Sequence, residues 1–148
     1  MYQRILCPVD GSATSDCGMA EAIKLAKNQN AKLRFLHVVD TYIPTLDVTL
    51  DFNVAYLPEI LHNNGKKLLQ TAEDAARAEG VTVDSHMVES IGTVSQFVVS
   101  EAETWPADLI VMGTHGLRGI KRMVMGSDAE TIVRTSPVSV LLVKSTHK

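Results

Sequence analysis

Five short apolar, β-branched runs alternate with stretches of helical period along this chain, the pattern of a parallel sheet with helices packed on its faces. The runs are Arg4 to Val9, Leu33 to Val39, Val81 to Val88, Asp108 to Met112 and Val138 to Val143. Four of them are continuous in apolar character, as strands covered on both sides should be. The third, Val81-Thr82-Val83-Asp84-Ser85-His86-Met87-Val88, alternates instead. That places it nearer an edge of the sheet.

The stretches between strands read as helices. Met19, Ala22, Ile23 and Ala26 fall at i, i+3, i+4 and i+7, which puts them on one helical face. Leu57, Leu61, Leu68, Ala72 and Ala75 mark a longer helix, weakened as a reading by Asn63-Asn64-Gly65 inside it. Thr93 is the N-cap of a third, with Val94, Phe97, Val98 and Ala102 facing the sheet. It should end near Trp105-Pro106, because the residue before a proline avoids the α region. From Asp40 to Tyr56 there is no clean period, and Pro44, Asp47, Asp51 and Asn53 are loop chemistry. A connection of that length is a lid or partner surface whose role the sequence leaves open.

At 148 residues the chain is long enough for one domain, residues 1–148, with a core that needs no staples. Its longest apolar runs are strand-sized, whereas a membrane span needs about 20 apolar residues, so a cytoplasmic location off the membrane is expected. Fourteen basic against seventeen acidic residues give a net charge of −3, the wrong sign for holding nucleic acid by counterion release. Cys7 and Cys17 have neither C-x-x-C spacing nor a second pair, and both read as buried thiols.

In open parallel sheets ligands bind beyond the carboxyl ends of the strands, where strand order reverses. The first strand runs into Pro8-Val9-Asp10-Gly11-Ser12, and the fourth into Met112-Gly113-Thr114-His115-Gly116. Gly126-Ser127 follows after nine more residues and opens a helical segment, Asp128 to Arg134. Two readings of this pattern stand side by side. In one, Gly113 and Gly116 adopt positive φ and approach a ligand, while the helix start at Gly126-Ser127 offers its amides to an anion. In the other, the glycines shape a turn, and Ser127 with Glu130 forms an S-x-x-E capping box that fills those amides internally.

The pattern Gly113-x-x-Gly116, nine residues, Gly126-Ser127 resembles the nucleotide-binding motif of the universal stress protein family, in its ATP-binding branch. Ile5-Leu6-Cys7-Pro8-Val9-Asp10-Gly11-Ser12 resembles the opening strand of that family, and Leu36-His37-Val38-Val39 its second. Ser136-Pro137-Val138-Ser139-Val140-Leu141-Leu142-Val143 resembles its closing strand. The resemblance implies an α/β three-layer sandwich, Rossmann-like and of the adenine nucleotide alpha hydrolase-like kind, with a five-stranded parallel sheet in the order 3-2-1-4-5. It also implies an adenine nucleotide, ATP or AMP, accompanied by Mg or Mn. Carried over by position, Pro8, Val9 and Asp10 border the nucleoside, and Val38 meets the adenine through its backbone. Met112, Gly113, His115 and Gly116 follow the ribose and first phosphates. Gly126, Ser127, Asp128 and Ala129 face the outer phosphates.

Asp128 departs from the family, in which an apolar residue often follows the serine. Acidic residues in a first helical turn stabilise an empty helix start by roughly 0.3 to 1 kcal/mol each and repel a polyphosphate by as much. Charge-assisted hydrogen bonds to phosphate are worth about 1.5 to 3 kcal/mol each, so the repulsion weakens binding without abolishing it. His115 has no identified base, nucleophile or orienting partner, which makes it a contact residue rather than a catalytic one. Arg118, Lys121 and Arg122 either neutralise phosphates or form a solvated loop. His37, His62, His86 and His147 are scattered without metal-ligand spacing. No Walker loop, dinucleotide fingerprint, nucleophile elbow or H-E-x-x-H is present.

The expected function is a regulatory nucleotide-binding module with an unidentified protein partner and slow turnover at most. The alternatives are a slow ATPase or phosphotransferase using His115 or Ser127, and a nucleotide-free dimerisation module. The apolar run Val138 to Val143 at a sheet edge predicts a homodimer formed by pairing of that strand with its twin.

Overall fold

Ile5, Leu6 and Cys7 are consecutive and all fully buried. Strand alternation sends Ile5 and Cys7 to one face of a sheet and Leu6 to the other, so both faces must be covered. A computed structural model, which describes residues 1–41, 57–114 and 125–145, shows how. The elements run β1 (Arg4–Pro8), α1 (Ala13–Gln29), β2 (Lys32–Asp40), α2 (Leu57–Ala78), β3 (Val83–Ser90), α3 (Val94–Thr104), β4 (Leu109–Gly113), α4 (Ser127–Thr135) and β5 (Ser139–Val143). The sheet has the order β3-β2-β1-β4-β5, with every neighbouring pair parallel.

On one face, Ile5, Cys7, Phe35 and Val111 pack with Ala22 and Ala26 of α1 and with Leu69, Ala72 and Ala76 of α2. On the other, Leu6, Leu36, Ile110 and Met112 pack with Val98 and Ala102 of α3 and with Ala129 and Ile132 of α4. The result is the expected α/β three-layer arrangement. Strand bounds shift by a residue or two from those expected, and one shift matters: β1 stops at Pro8, so Val9 lies just beyond it. β3 is an edge strand, as its alternation required. The fifth run, continuous in sequence, is also an edge strand and is only partly covered, with Ser139 and Leu141 exposed.

The local devices are mostly those the residue types favour. Ser12 caps α1 by accepting the Ser15 N–H at 3.1 Å, and Asn30 closes the helix in the left-handed region at φ 54°. α3 starts after Thr93 and ends at Trp105, before Pro106, though the Thr93 side chain makes no capping bond. Gly65 does not interrupt α2. A Cβ there would lie 2.8 Å from His37 Cδ2 and 2.9 Å from Met87 Sδ, so a glycine is what lets the helix pass close over β2 and β3. Cys7 is buried, which pushes its thiol pKa up, whereas Cys17 is only partly buried. The expected loop's residues 42–56 lie outside the described residues.

Candidate functional site

Strand order reverses at β1, which pairs with β2 on one side and β4 on the other. The crevice at their carboxyl ends is therefore where a ligand has access to several loops at once. Pairing of β1 with β2 ends at Pro8 and Leu36. One further main-chain bond follows, from Val9 N–H to Leu36 O at 2.8 Å. The Val9 carbonyl is then taken by a side chain, His37 Nδ1 at 2.8 Å.

That substitution fixes what Val38 presents. In β2, even-numbered residues turn their main chain toward β1: Lys32 N–H reaches Gln3 O, and Leu36 O receives Val9 N–H. A regular parallel ladder would next send the Val38 N–H to the Val9 carbonyl. That bond is not formed: His37 Nδ1 is on the Val9 carbonyl, and the Val38 N–H and C=O, on the β1 side of β2, have no main-chain partner among the described residues.

Beyond Val9 the chain makes a tight turn through Gly11, at φ 82°. Asp10 Oδ1 accepts the Ser12 N–H at 2.9 Å, and Asp10 N–H donates to Ser15 Oγ at 3.0 Å. The carboxylate is thereby held at the start of α1. The same end of α1 meets β4. A Cβ on Gly113 would lie 2.4 Å from Thr14 O, and one on Gly18 would lie 2.8 Å from Gly113 N. Gly113 is not among the residues with positive φ, contrary to expectation. It is a glycine because the backbone of α1 presses on it.

From the other side comes the start of α4. Gly126 N–H donates to Thr114 O at 2.9 Å, and Thr114 N–H to Val143 O at 3.1 Å. These two bonds seat the helix start beside the end of β4. Gly126 is the N-cap and Ser127 the first helical residue, so the S-x-x-E box does not form. The Glu130 side chain instead accepts from Arg134 at 2.5 Å. Among the described residues, no side chain fills the first-turn amides of α4. Asp128 also points elsewhere: its Oδ1 accepts the Ser95 N–H at 3.4 Å, at the amino end of α3. Its charge therefore faces the α3 start, where the helix dipole favours it.

Of the motif the sequence suggested, Gly113 and Gly126-Ser127 are described, and they lie together: the end of β4 is joined through Thr114 to a helix start with no side-chain cap. The model of the universal stress protein family matches residues 1–144. The chain belongs to that family. A universal stress protein of Methanocaldococcus jannaschii, MJ0531, is 33% identical over all of this chain and 85% of its own length. A universal stress protein family structure from Burkholderia pseudomallei is 28% identical, covers 96% of each chain and superposes with a TM-score of 0.78. A universal stress protein solved in complex with cAMP is 27% identical, with a TM-score of 0.69 over 98% of each chain.

Within this universal stress protein, Pro8 ends β1 with Val9 and Asp10 just beyond it, Val38 lies near the end of β2, and Met112 and Gly113 end β4. Gly126, Ser127 and Ala129 begin the opposing helix, with Asp128 turned to α3. His115 and Gly116 lie outside the described residues, as do Arg118, Lys121 and Arg122. Three contributors went unread in the sequence. Gly18 carries no motif, Thr114 acts through its main chain, and His37 looked like one of several scattered histidines. It directly follows Leu36, the last residue of β2 paired with β1, which is a property of the fold rather than of local spacing.

A second polar cluster lies at the amino ends of β2 and β3, away from the crevice. Arg34 makes a bidentate pair with Asp84 at 2.6 and 2.9 Å and a third bond to Glu101 at 3.0 Å, with its guanidinium 4.7 Å from the Trp105 ring centroid. His86 Nδ1 lies 2.8 Å from the other Glu101 oxygen. The Asp84 pKa is lowered, chiefly by its hydrogen bond from Arg34, and the Arg34 pKa is raised, chiefly by the same bond. An adjoining cavity of about 290 Å³ is lined by Arg34, Ser85, His86, Glu101, Thr104 and Trp105, and the Arg34, His86 and Glu101 side chains there are already hydrogen-bonded within the cluster. The cluster braces the β3 edge. Among the described residues no group of three His, Cys, Asp or Glu side chains could hold a metal.

Proposed function

We propose that the chain is a regulatory module that binds an adenine nucleotide, ATP or AMP, in the crevice between β1, β4 and the start of α4. The observation that carries this reading is the Gly126 N–H to Thr114 O bond, which sets the uncapped first turn of α4 beside the strand end. Helix-start amides that no side chain caps among the described residues favour a phosphate. The main-chain N–H and C=O of Val38 offer a donor and an acceptor, which suits an adenine edge. The 27% identical relative solved with cAMP supports the same ligand class. Mg or Mn would ride on the phosphates rather than in a protein cage, given the absence of a three-ligand cluster among the described residues.

The chain acts as one cytoplasmic domain that responds to a protein partner, without catalytic residues of its own and with slow hydrolysis at most. No helix among the described residues is long and apolar enough to cross a membrane. The partly covered β5, with Ser139 and Leu141 exposed, favours a homodimer through residues Val138 to Val143. Calorimetry with ATP and AMP, each with and without magnesium, tests the ligand. Micromolar binding of either supports the reading, and absence of heat at millimolar nucleotide refutes it. His115→Ala in a single-turnover assay separates binding from turnover: an unchanged hydrolysis rate leaves His115 a contact residue.

A further inference from the structure

His37 sits between the Val9 carbonyl and the underside of α2, and both neighbours constrain it. A carbonyl only accepts, so the 2.8 Å contact requires His37 Nδ1 to carry a proton. Gly65 of α2 lies close to the ring: a Cβ there would come within 2.8 Å of Cδ2 and 3.2 Å of Nε2. A mid-helix glycine is usually unfavourable against alanine. At this position it is what leaves space for the imidazole between α2 and the Val9 carbonyl.

The consequence reaches the crevice through hydrogen-bond competition. The Val9 carbonyl is the regular ladder partner of the Val38 N–H; it has two lone pairs, but His37 Nδ1 bonds it at 2.8 Å and the Val38 N–H does not. We infer that His37 is a positioning residue for adenine recognition: by holding the Val9 carbonyl it stops the β1–β2 ladder from closing one rung further and so keeps the Val38 N–H and C=O available to a base. This inference rests on the nucleotide reading given above. An N–H donor beside a C=O acceptor matches the N1 acceptor and amino donor of adenine. Guanine presents the reverse pair, so the same two groups set the choice of base.

Replacing the imidazole by an apolar side chain returns the Val9 carbonyl to the Val38 N–H. The extra rung compensates for the lost bond, so stability is kept while base recognition is lost. An ordinary packing role for His37 would give the opposite pattern. Asparagine places an amide N–H near the position of Nδ1 and should restore the wild-type arrangement.

The test compares wild type, His37→Leu and His37→Asn by calorimetry with AMP and GMP, by thermal melting, and by amide hydrogen exchange at Val38. The expected result is rapid Val38 exchange in wild type and slow exchange in H37L, with melting temperatures alike. AMP binding should weaken roughly tenfold or more in H37L, with the AMP-over-GMP preference falling toward unity and H37N recovering most of both. Nitrogen chemical shifts of the wild-type ring should report the Nδ1–H tautomer. Slow Val38 exchange in wild type, or AMP affinity and preference unchanged in H37L, overturns the inference while leaving nucleotide binding intact. Wild type that binds neither nucleotide overturns both readings. Should H37L fail to fold, Gly65→Ala displaces the same ring from above, and unchanged Val38 exchange in that variant also overturns the inference.

Discussion

Gly113→Ala is the substitution for which the structure gives the sharpest expectation. An added Cβ would lie 2.4 Å from Thr14 O, 2.7 Å from Thr14 C and 2.8 Å from Thr14 Cγ2, against ordinary contacts of 3.4–4 Å. Two of the three atoms are main chain, so no rotamer change relieves the overlap. The start of α1 and the end of β4 must separate by about 1 Å, which opens a well-packed interface. Overpacking of this kind costs about 1 to 3 kcal/mol, and the rigidity of the neighbours puts this case near the upper figure. For a chain of this size that is a fall in Tm of roughly 6–12 °C. Gly18→Ala strains the same interface from the helix side, so the double variant should lose less than the sum of the two singles. By contrast Gly126, at φ −58° and ψ 151°, has a conformation open to any residue, and Gly126→Ala should cost about 1 kcal/mol at most. Calorimetric or circular-dichroism melts without nucleotide make the comparison. A Gly113→Ala melt within about 1 °C of wild type would refute the packing argument and return this glycine to a purely ligand-related role.

Arg34→Met leaves the buried Glu101 carboxylate without its main partner, a loss of about 3 kcal/mol or more, so its Tm should fall by roughly 6 °C or more in the same melts. Asp84 has its pKa lowered by folding, so its contribution to stability is present above the unfolded carboxylate value near 3.9 and is lost as pH falls through the lower folded value. Urea midpoints followed from pH 6 downward should therefore drop below about pH 4 in wild type, and less steeply in Asp84→Asn. Leu141→Lys puts a charge on the exposed edge strand and should shift the protein to monomer in sedimentation at micromolar concentration.

The layers were legible because they depend on side-chain pattern alone. Ile5-Leu6-Cys7 could be buried on both faces only in a covered parallel sheet, and the polar alternation of Thr82, Asp84 and His86 could be tolerated only near an edge. The site was legible as a motif but not as a set of contacts. Gly113 read as a positive-φ glycine because sequence shows the absence of a side chain, not the Thr14 backbone that requires it. Ser127 and Glu130 matched a capping box, yet the Thr114–Gly126 bond, across the chain's turn from β4, makes Gly126 the N-cap and Ser127 the first helical residue, and the Glu130 carboxylate pairs with Arg134. Asp128 looked like an electrostatic obstacle because its partner, the Ser95 amide, is 33 residues away in the chain. Each miss is a long-range or competing partner that local spacing does not encode.

The phosphate wall can be tested without disturbing the fold, because the first residue of a helix is where proline is best tolerated. Ser127 occupies that position in α4, and its N–H is one of the donors with no intrahelical acceptor. The preceding residue, Gly126, is already extended at ψ 151°, the conformation a following proline requires. Ser127→Pro therefore removes one amide from the crevice while leaving the helix its geometry, and its Tm should stay within about 2 °C of wild type. If that amide meets an outer phosphate, the lost charge-assisted bond is worth about 1.5 to 3 kcal/mol, a tenfold to hundredfold weakening of ATP. AMP, which does not reach the outer positions, should bind nearly as before, so the ATP-to-AMP affinity ratio falls. The AMP-over-GMP preference, proposed to be set at Val38, should not move. A Ser127→Pro variant that melts normally and keeps its ATP affinity would show that the α4 start does not hold phosphate, whatever else binds in the crevice.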